Sequence, residues 1–279
     1  ADFRAKPTIS VSLSSAYLDL SESLPAAEES ATEASSDPDG LLFPDVPLNL
    51  GFLDAANVEV DVKVDKLILD EVNINNLDLG VRLLDSHLSV EPISVRSSHG
   101  NLDGSLKLRP ADGGYDVTAS FAVSDGRMGL AGVQAQDLSQ VPVMDGTVDL
   151  RGTGRSPHQV MASANGSIRL RQGPGRISDR RSRFFGDILM QLLRAFNPLQ
   201  SERSDQRFDC GIYYIDLVDG VANLENVAIQ TNRLTTVVSG TITLHDERID
   251  ISARAKPREG LGISLGGIAN SLVRIGGTL

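Results

Sequence analysis

The sequence contains no tryptophan and only 4% aromatic residues, so its apolar surface is built mainly from valine, isoleucine and leucine. This choice favours β-sheets, and it suits a surface that holds a fluid ligand rather than one stacked between fixed rings. Cysteine is equally scarce. The single Cys210 excludes an internal disulfide and a cysteine-based zinc site, and it does not decide the cellular compartment.

Positive charge is also in short supply, because 26 Lys and Arg residues stand against 37 Asp and Glu residues and give a net charge of -11. Nucleic-acid binding needs a basic face, so we predict no nucleic-acid partner. No apolar run approaches the roughly 20 residues needed to span a bilayer, and we expect no signal peptide within these residues. Because strand-like alternation starts close to Ala1, we expect a fragment of a longer protein, whose membrane segments these residues cannot reveal.

A hexapeptide pattern, x-Gly-[Ser/Thr]-[Leu/Val/Ile]-x-Leu, recurs along the chain and indicates repeated strand starts. Its glycine can adopt the positive φ of a tight reversal, and the residues after it alternate between apolar and polar, as in a half-buried strand. The spacing between copies is irregular, which excludes a fixed-period solenoid. The four copies are residues 103–108, 145–150, 165–170 and 239–244, and a fifth begins at residue 277.

Short strand candidates follow one another along most of the chain, separated by Asp-Gly turn signals and, with one exception, not by helices. This order predicts antiparallel connections rather than βαβ units. Residues 160–164 are among the strand candidates. The clearest alternation of apolar and charged residues runs through Val58, Val60, Val62 and Val64.

Two segments depart from the strand pattern. Residues 21–45 are rich in Glu, Ser, Ala, Asp and Pro, which predicts a flexible acidic loop. Apolar residues at helical spacing predict an amphipathic α-helix near residues 183–196, ended by Asn197-Pro198. Such a helix must lie on an apolar surface, and an exposed sheet face or an open end of the sheet would provide one.

No group of ionisable residues forms a catalytic pattern. The four histidines lack a partner at metal-ligand spacing, and there is no G-x-S-x-G elbow or Cys–His motif. The glycines between residues 260 and 267 lack the lysine of a phosphate-binding loop. We therefore predict a protein that is not an enzyme and uses no cofactor or metal. A hydrolase or glycan-modifying enzyme would need a convergent acid/base pair, which the sequence does not show.

Several short sequence motifs occur in an order that resembles the C-terminal region of the AsmA family. LFPDVPL at residues 42–48 follows the acidic loop and resembles that family's LFSDEPLPL phrase, and LSVEPI at 88–93 resembles its strand pair. VDGVA at 218–222 and VSGTI at 238–242 resemble its ending. HDERID at 245–250 resembles the usual continuation. The resemblance covers nearly all of the chain.

The resemblance implies that residues 1–279 form a single AsmA-like C-terminal region in the periplasm. The whole protein would be anchored in the inner membrane by an N-terminal transmembrane helix outside this sequence. The resemblance also implies an extended β-groove, related to those of longer relatives, that transfers phospholipid between the inner and outer bacterial membranes and supports outer-membrane biogenesis. Phospholipid and the bacterial membranes would then be the partners.

Taken together, these features predict a mostly β protein, with an elongated, twisted antiparallel sheet that curls into a groove and one amphipathic helix over an end. The apolar strand faces outnumber the elements that could cover them. This excess alone is compatible with a closed protein core, but with the family resemblance we expect lipid tails to occupy the groove. The candidates for contact with lipid tails are Val58, Val60, Val62, Val64, Phe185, Leu189 and Leu193. The candidates for contact with lipid head groups are Arg176, Arg180, Arg181 and Arg183.

Alternatives remain open for both sets of residues. The arginines could instead form a solvated basic loop that balances acidic residues nearby. The sheet could pack dry, as a structural or assembly module that binds an envelope protein partner. The identity of the lipid, the direction and energy source of its movement, the oligomeric state and the open length of the groove do not follow from the sequence.

Overall fold

The computed structural model describes residues 6–21, 41–69, 72–127, 141–176, 207–232, 234–258 and 272–278. These residues form one sheet of sixteen strands and a single short α-helix, α1 (Pro157–Ala162). The strands are β1 Thr8–Ser15, β2 Leu18–Asp19, β3 Asn57–Val64, β4 Leu67–Leu69, β5 Val72–Leu84, β6 His87–Ser97, β7 Gly100–Ala111, β8 Gly114–Gly126, β9 Met144–Gly154, β10 Asn165–Gln172, β11 Gly175–Arg176, β12 Arg207–Val218, β13 Val221–Thr231, β14 Leu234–Thr243, β15 Arg248–Pro257 and β16 Leu272–Thr278.

The main strands follow one another in a single unbranched path, β1-β3-β5-β6-β7-β8-β9-β10-β12-β13-β14-β15-β16. The short strands β2, β4 and β11 lie off this path. Strands β1 and β16 stand at opposite ends of the path, so the curled sheet is open rather than closed into a barrel. The predicted mostly β fold with an open, curled sheet is confirmed.

Two strand pairs differ from the antiparallel rule that the sequence predicts. Strand β1 pairs with β3 in parallel, and β2 pairs with β4 in parallel. Parallel neighbours need a long crossover connection between them, and the chain between β2 and β3 provides it. The predicted acidic loop occupies most of this connection, and its residues 22–40 lie outside the described part of the chain, as does the predicted helix near 183–196.

The strand predicted at residues 160–164 is wrong, because this stretch belongs largely to helix α1. Ser156 caps the helix by accepting a hydrogen bond from the Gln159 backbone amide on its hydroxyl, and Pro157 occupies the first turn. Proline at that position has a backbone φ that suits a helix start. The capping signal therefore outweighs the β propensity of the residues that follow.

The glycines of the repeated hexapeptide lie inside strands rather than in reversals. Their role is close packing on the concave face. A β-carbon at Gly104 would overlap the ring of Phe121 in the neighbouring strand, and one at Gly240 would overlap the Asp250 carbonyl oxygen. Gly240 also has a positive φ of 136°. Because glycine has no side chain, these positions leave room for the inner face to bend inward. True reversals occur elsewhere, as at Asp219, where φ is 46°.

One connecting segment, residues 41–56, is irregular except for a 3-10 helix at Gly51–Asp54, and it lies along the strand ends that carry helix α1 and the β14–β15 turn. We call it the strap. The Leu48 backbone amide donates to the Arg155 carbonyl over 2.7 Å, just before α1. Farther along, the Ser86 hydroxyl in the β5–β6 turn donates to the carboxylate of Asp54. The strap therefore connects turns from distant parts of the sheet.

Candidate functional site

The strand register places apolar side chains from neighbouring strands on one shared face. Val60 of β3 is paired with Val11 of β1 on one side and with Val81 of β5 on the other. Directly paired residues point to the same side of a sheet. The same row continues through Val90 of β6, Leu106 of β7, Ala119 of β8 and Leu150 of β9.

A second row of apolar residues lies on the same face, two residues farther along the strands. It starts from Leu13, which is paired with Val62. It continues through Leu79, Ile93, Gly104, Phe121 and Val148. The apolar side chains of β1, β3 and β5–β9 therefore form one continuous surface, which we call the open face.

The open face keeps much of its apolar surface in contact with solvent. Ile9 is 51% exposed, Val11 48% and Leu13 46%, and the paired valines of β3 are half-buried. Within the described residues the only α-helix, α1, packs on β9 at the border of this face. The exposed apolar surface is a feature of binding sites rather than of a finished protein core.

The inner face of β10 and β12–β15 is different, because its side chains bury one another. We call it the packed half. Ala253 is fully buried, Ile251 is 2% exposed and Val238 is 4% exposed. These residues belong to one cluster that also contains Leu217, Leu224 and Ile249. The curl of the sheet is therefore tight enough here to exclude solvent, and the groove is not open along its whole length.

The four valines predicted from the alternation of β3 share the inner face, but their surroundings differ. Val58, Val60 and Val62 are half-buried on the open face. Val64 is only 1% exposed and packs in a separate cluster with Leu67 and Ile74. The first three are therefore accessible to a ligand, whereas Val64 already has a protein environment.

The other predicted site residues cannot be placed in the same way. Phe185, Leu189 and Leu193 lie outside the described residues, and so do Arg180, Arg181 and Arg183. Arg176 belongs to β11, where its backbone is paired with Arg207. The predicted roles of the helix contacts and of the head-group arginines therefore remain predictions.

Sequence reasoning named the lining residues of only one strand. The open face also includes Leu79, Val90 and Leu106, among others. The same two-residue alternation marks these strands. Alternation alone, however, does not show which alternating set of residues in one strand shares a face with which set in the next strand. A bulge in β6 between Val90 and Ile93, which alters the pairing with both β5 and β7, shifts that alternation within the strand.

The strap is held by a buried carboxylate at the end of the packed half. The Glu247 side chain, 4% exposed, accepts hydrogen bonds from the backbone amides of Leu42 at 2.7 Å and Phe43 at 2.9 Å. Phe43 packs against the apolar cluster of the packed half. His158 Nδ1 lies 3.9 Å from Glu247 Oε1 and has no hydrogen-bond partner within the described residues. These contacts close one end of the curl.

The outer face of the sheet is polar and carries cross-strand ion pairs. Arg96 donates to the Asp103 carboxylate over 2.8 Å, and this bond, with one from Ser94, lowers the pKa of Asp103. In β15 and β16, Arg274 bonds to both carboxylate oxygens of Asp250 and lowers its pKa. The outer face is therefore mainly polar, although Ile212 of β12 and Val237 of β14 expose apolar side chains there.

Two features are absent from the described residues, a cluster of metal-ligating side chains and a helix that could span a membrane. These residues include no group of three or more His, Cys, Asp and Glu side chains able to hold a metal ion. None of the helices in the described ranges has the length and apolar character to cross a bilayer.

Comparison with known proteins places the chain in a family. The AsmA family profile matches residues 4–227. AsmA family protein YhjG of Escherichia coli (strain K12) is 21% identical over 234 residues, which cover 81% of this chain and 33% of that protein. The matched region thus spans about a third of the length of this relative. No solved structure matches the chain. The extent of the family match shows that the chain belongs to the AsmA family.

Proposed function

We propose that the chain binds phospholipid tails on its open face and takes part in lipid transfer between the inner and outer bacterial membranes, without catalysing a reaction. The single observation that supports this is the continuous, half-exposed apolar surface of β1, β3 and β5–β9. Membership of the AsmA family is consistent with an envelope- or lipid-related function. We also propose a periplasmic location, with inner-membrane anchorage provided by another part of the protein.

The size of the open face suits an acyl chain. Seven strands at a spacing of about 4.8 Å give roughly 29 Å across the strands, which is close to the ~30 Å hydrocarbon thickness of a whole bilayer. A single lipid tail, which spans half of that thickness, fits within this distance. Each sheltered CH₂ group contributes about 0.8 kcal/mol, so covering a tail along part of its length favours binding over exposure to water.

Val58, Val60 and Val62 are the best candidates for tail contact, because they lie on the open face and remain half-buried. They lie next to the most exposed strand, β1, and are paired with its apolar residues. Aliphatic side chains offer no fixed hydrogen bonds along this surface. A bound tail could therefore slide along it, as transfer requires.

A second candidate function follows from the packed half. There the inner face forms a dry core around residues such as Ala253 and Ile251, as expected for a structural or assembly module. The open face would then be the contact surface for an envelope protein partner rather than for lipid. The two functions differ in what occupies the same apolar surface.

Native mass spectrometry of gently purified protein tests the lipid function directly. We expect masses that correspond to the chain with phospholipid bound. Detection of delipidated protein alone, under conditions that keep lipid on a known carrier, would contradict the proposal.

Charged substitutions separate lipid binding from a dry core. The double variant Val60→Asp/Val62→Asp should fold and lose bound lipid, since aspartate is tolerated on a solvated surface but repels acyl chains. Val238→Asp in the packed half is the comparison, and it should unfold because it buries an unpaired charge. If Val60→Asp/Val62→Asp unfolds as Val238→Asp does, the open face is a protein core and the lipid function is wrong.

A further inference from the structure

A cavity of about 570 Å³ lies on the outer face of strands β7–β9, beside the residues that follow helix α1. We call it the outer basin. Its strand residues alternate with open-face residues such as Leu106 and Leu108, so it lies on the opposite side of the sheet. It is lined by Lys107, Arg109, Asp116, Thr118, Arg151, Gly152, Thr153, Ser163 and Asn165.

The outer basin is basic in an otherwise acidic chain. Three cationic side chains, those of Lys107, Arg109 and Arg151, line it together with a single carboxylate, Asp116. The whole chain has a net charge of -11. A local excess of positive charge in a concave surface focuses the electrostatic field of the protein and so attracts anions.

The two arginines of the outer basin are not engaged elsewhere. The side chains of Arg109 and Arg151 form no ion pair or hydrogen bond with any described residue, and both residues are exposed. By contrast, Lys107 lies 2.8 Å from the Glu91 carboxylate, and Asp116 accepts a hydrogen bond from the Thr153 hydroxyl over 2.6 Å. Within the described part of the chain, the basin therefore offers two guanidinium groups that have no side-chain partner.

The strand register brings these cations to one place. Thr118 of β8 is paired with Lys107 of β7 on one side and with Arg151 of β9 on the other. Two strand spacings, about 10 Å, separate the backbones of Lys107 and Arg151. Arg109 lies two residues beyond Lys107 on the same face, opposite Asp116. Long side chains from these positions can converge above Thr118, whose hydroxyl has no partner among the described residues.

We propose that the outer basin is a binding site for a phosphate group. Guanidinium groups match phosphate oxygens with pairs of parallel hydrogen bonds, and a hydroxyl such as that of Thr118 adds a further donor. The site is separated by the sheet from the open face, so it does not serve the head group of a lipid whose tail lies there. The phosphate belongs either to a soluble phosphate ester or to a phospholipid at a bilayer surface.

Two binding experiments distinguish these sources. Calorimetric titration of the full chain with glycerol 3-phosphate, at low ionic strength, tests a soluble ester. Flotation with phosphatidylglycerol vesicles, with phosphatidylcholine vesicles as reference, tests a bilayer surface. Binding in either experiment should weaken as salt is added, because exposed charges are screened.

Matched variants decide whether the outer basin is responsible. The double variant Arg109→Gln/Arg151→Gln should weaken binding by about tenfold or more. The control Arg82→Gln/Arg96→Gln removes the same charge from two other outer-face arginines, which pair with Asp61 and Asp103, and it should bind as the original chain does. Binding of neither probe, or an equal loss in both variants, would overturn the proposal.

Discussion

Glu247 holds the backbone of Leu42 across 205 residues of sequence, with the amide nitrogen 2.7 Å from the carboxylate oxygen. A second bond from the next amide, that of Phe43, makes the contact bidentate. The start of the strap is thereby fixed to the β14–β15 turn, although the strap later reaches the β5–β6 turn. One buried carboxylate thus couples the two parts of the sheet.

Removal of this carboxylate should destabilise the protein. Hydrogen bonds to a charged group contribute about 1.5–3 kcal/mol each, so we expect Glu247→Ala to lower the free energy of unfolding by about 3 kcal/mol. Urea denaturation measures this change. Glu225→Ala, at an exposed position in β13, is the control and should change the free energy by less than about 0.5 kcal/mol. Equal effects would show that Glu247 does not hold the strap.

Photo-crosslinking should distinguish the two faces of β3. A photoreactive amino acid at position 60 faces the apolar surface, whereas one at position 59 faces the opposite side. We expect phospholipid adducts at position 60 and few at position 59, detected by mass spectrometry after irradiation in the presence of vesicles. Protein adducts alone at position 60 would favour the assembly module instead.

Substitution of a repeat glycine on the concave face should destabilise the protein. A β-carbon at Gly104 would overlap Phe121, so we expect Gly104→Ala to lower the free energy of unfolding by about 1–3 kcal/mol. Gly276→Ala is the matched control, since its nearest neighbour would lie at an ordinary 3.5 Å. Thermal or urea unfolding measures both. A Gly104→Ala variant as stable as the control would show that this glycine does not serve close packing.

Acid should weaken the outer-face pair of Arg96 and Asp103. The hydrogen bond from Arg96 lowers the pKa of Asp103 below its ordinary value of 3.8. The contribution of the ionised Asp103 to stability is therefore present above about pH 4. It is lost as the pH falls through the lower pKa of the folded state. We expect the Tm of Asp103→Asn to lie slightly below that of the original chain at neutral pH.

Measurement of the Tm difference between Asp103→Asn and the original chain across the acid range tests this prediction. The difference in Tm should shrink as the pH falls below about 4, and it should be small because both side chains are half-exposed. Asp112→Asn, at an exposed position in the β7–β8 turn, should show no such convergence. A constant difference for Asp103→Asn across the acid range would contradict the role of its charge.

Much of the local structure could be predicted from short-range patterns. The alternation from Val58 to Val64 predicted β3 and its inner face, and Asp219-Gly220 marked a real reversal. The strand assigned to residues 160–164 failed because a cap at Ser156 starts a helix there. The lining residues beyond β3 were missed because alternation does not specify how neighbouring strands are aligned, and bulges change the parity within a strand.

The sequence by itself determined a β-rich chain with strands that are apolar on one side, because residue alternation and turn chemistry are local properties. Tertiary structure alone decided that β1 lies parallel to β3, that Val64 is buried while Val60 stays accessible, and that Glu247 meets Leu42. It also decided that Arg109 and Arg151 share one basin. These relationships depend on register and curvature, which arise only when distant strands pair and the sheet bends.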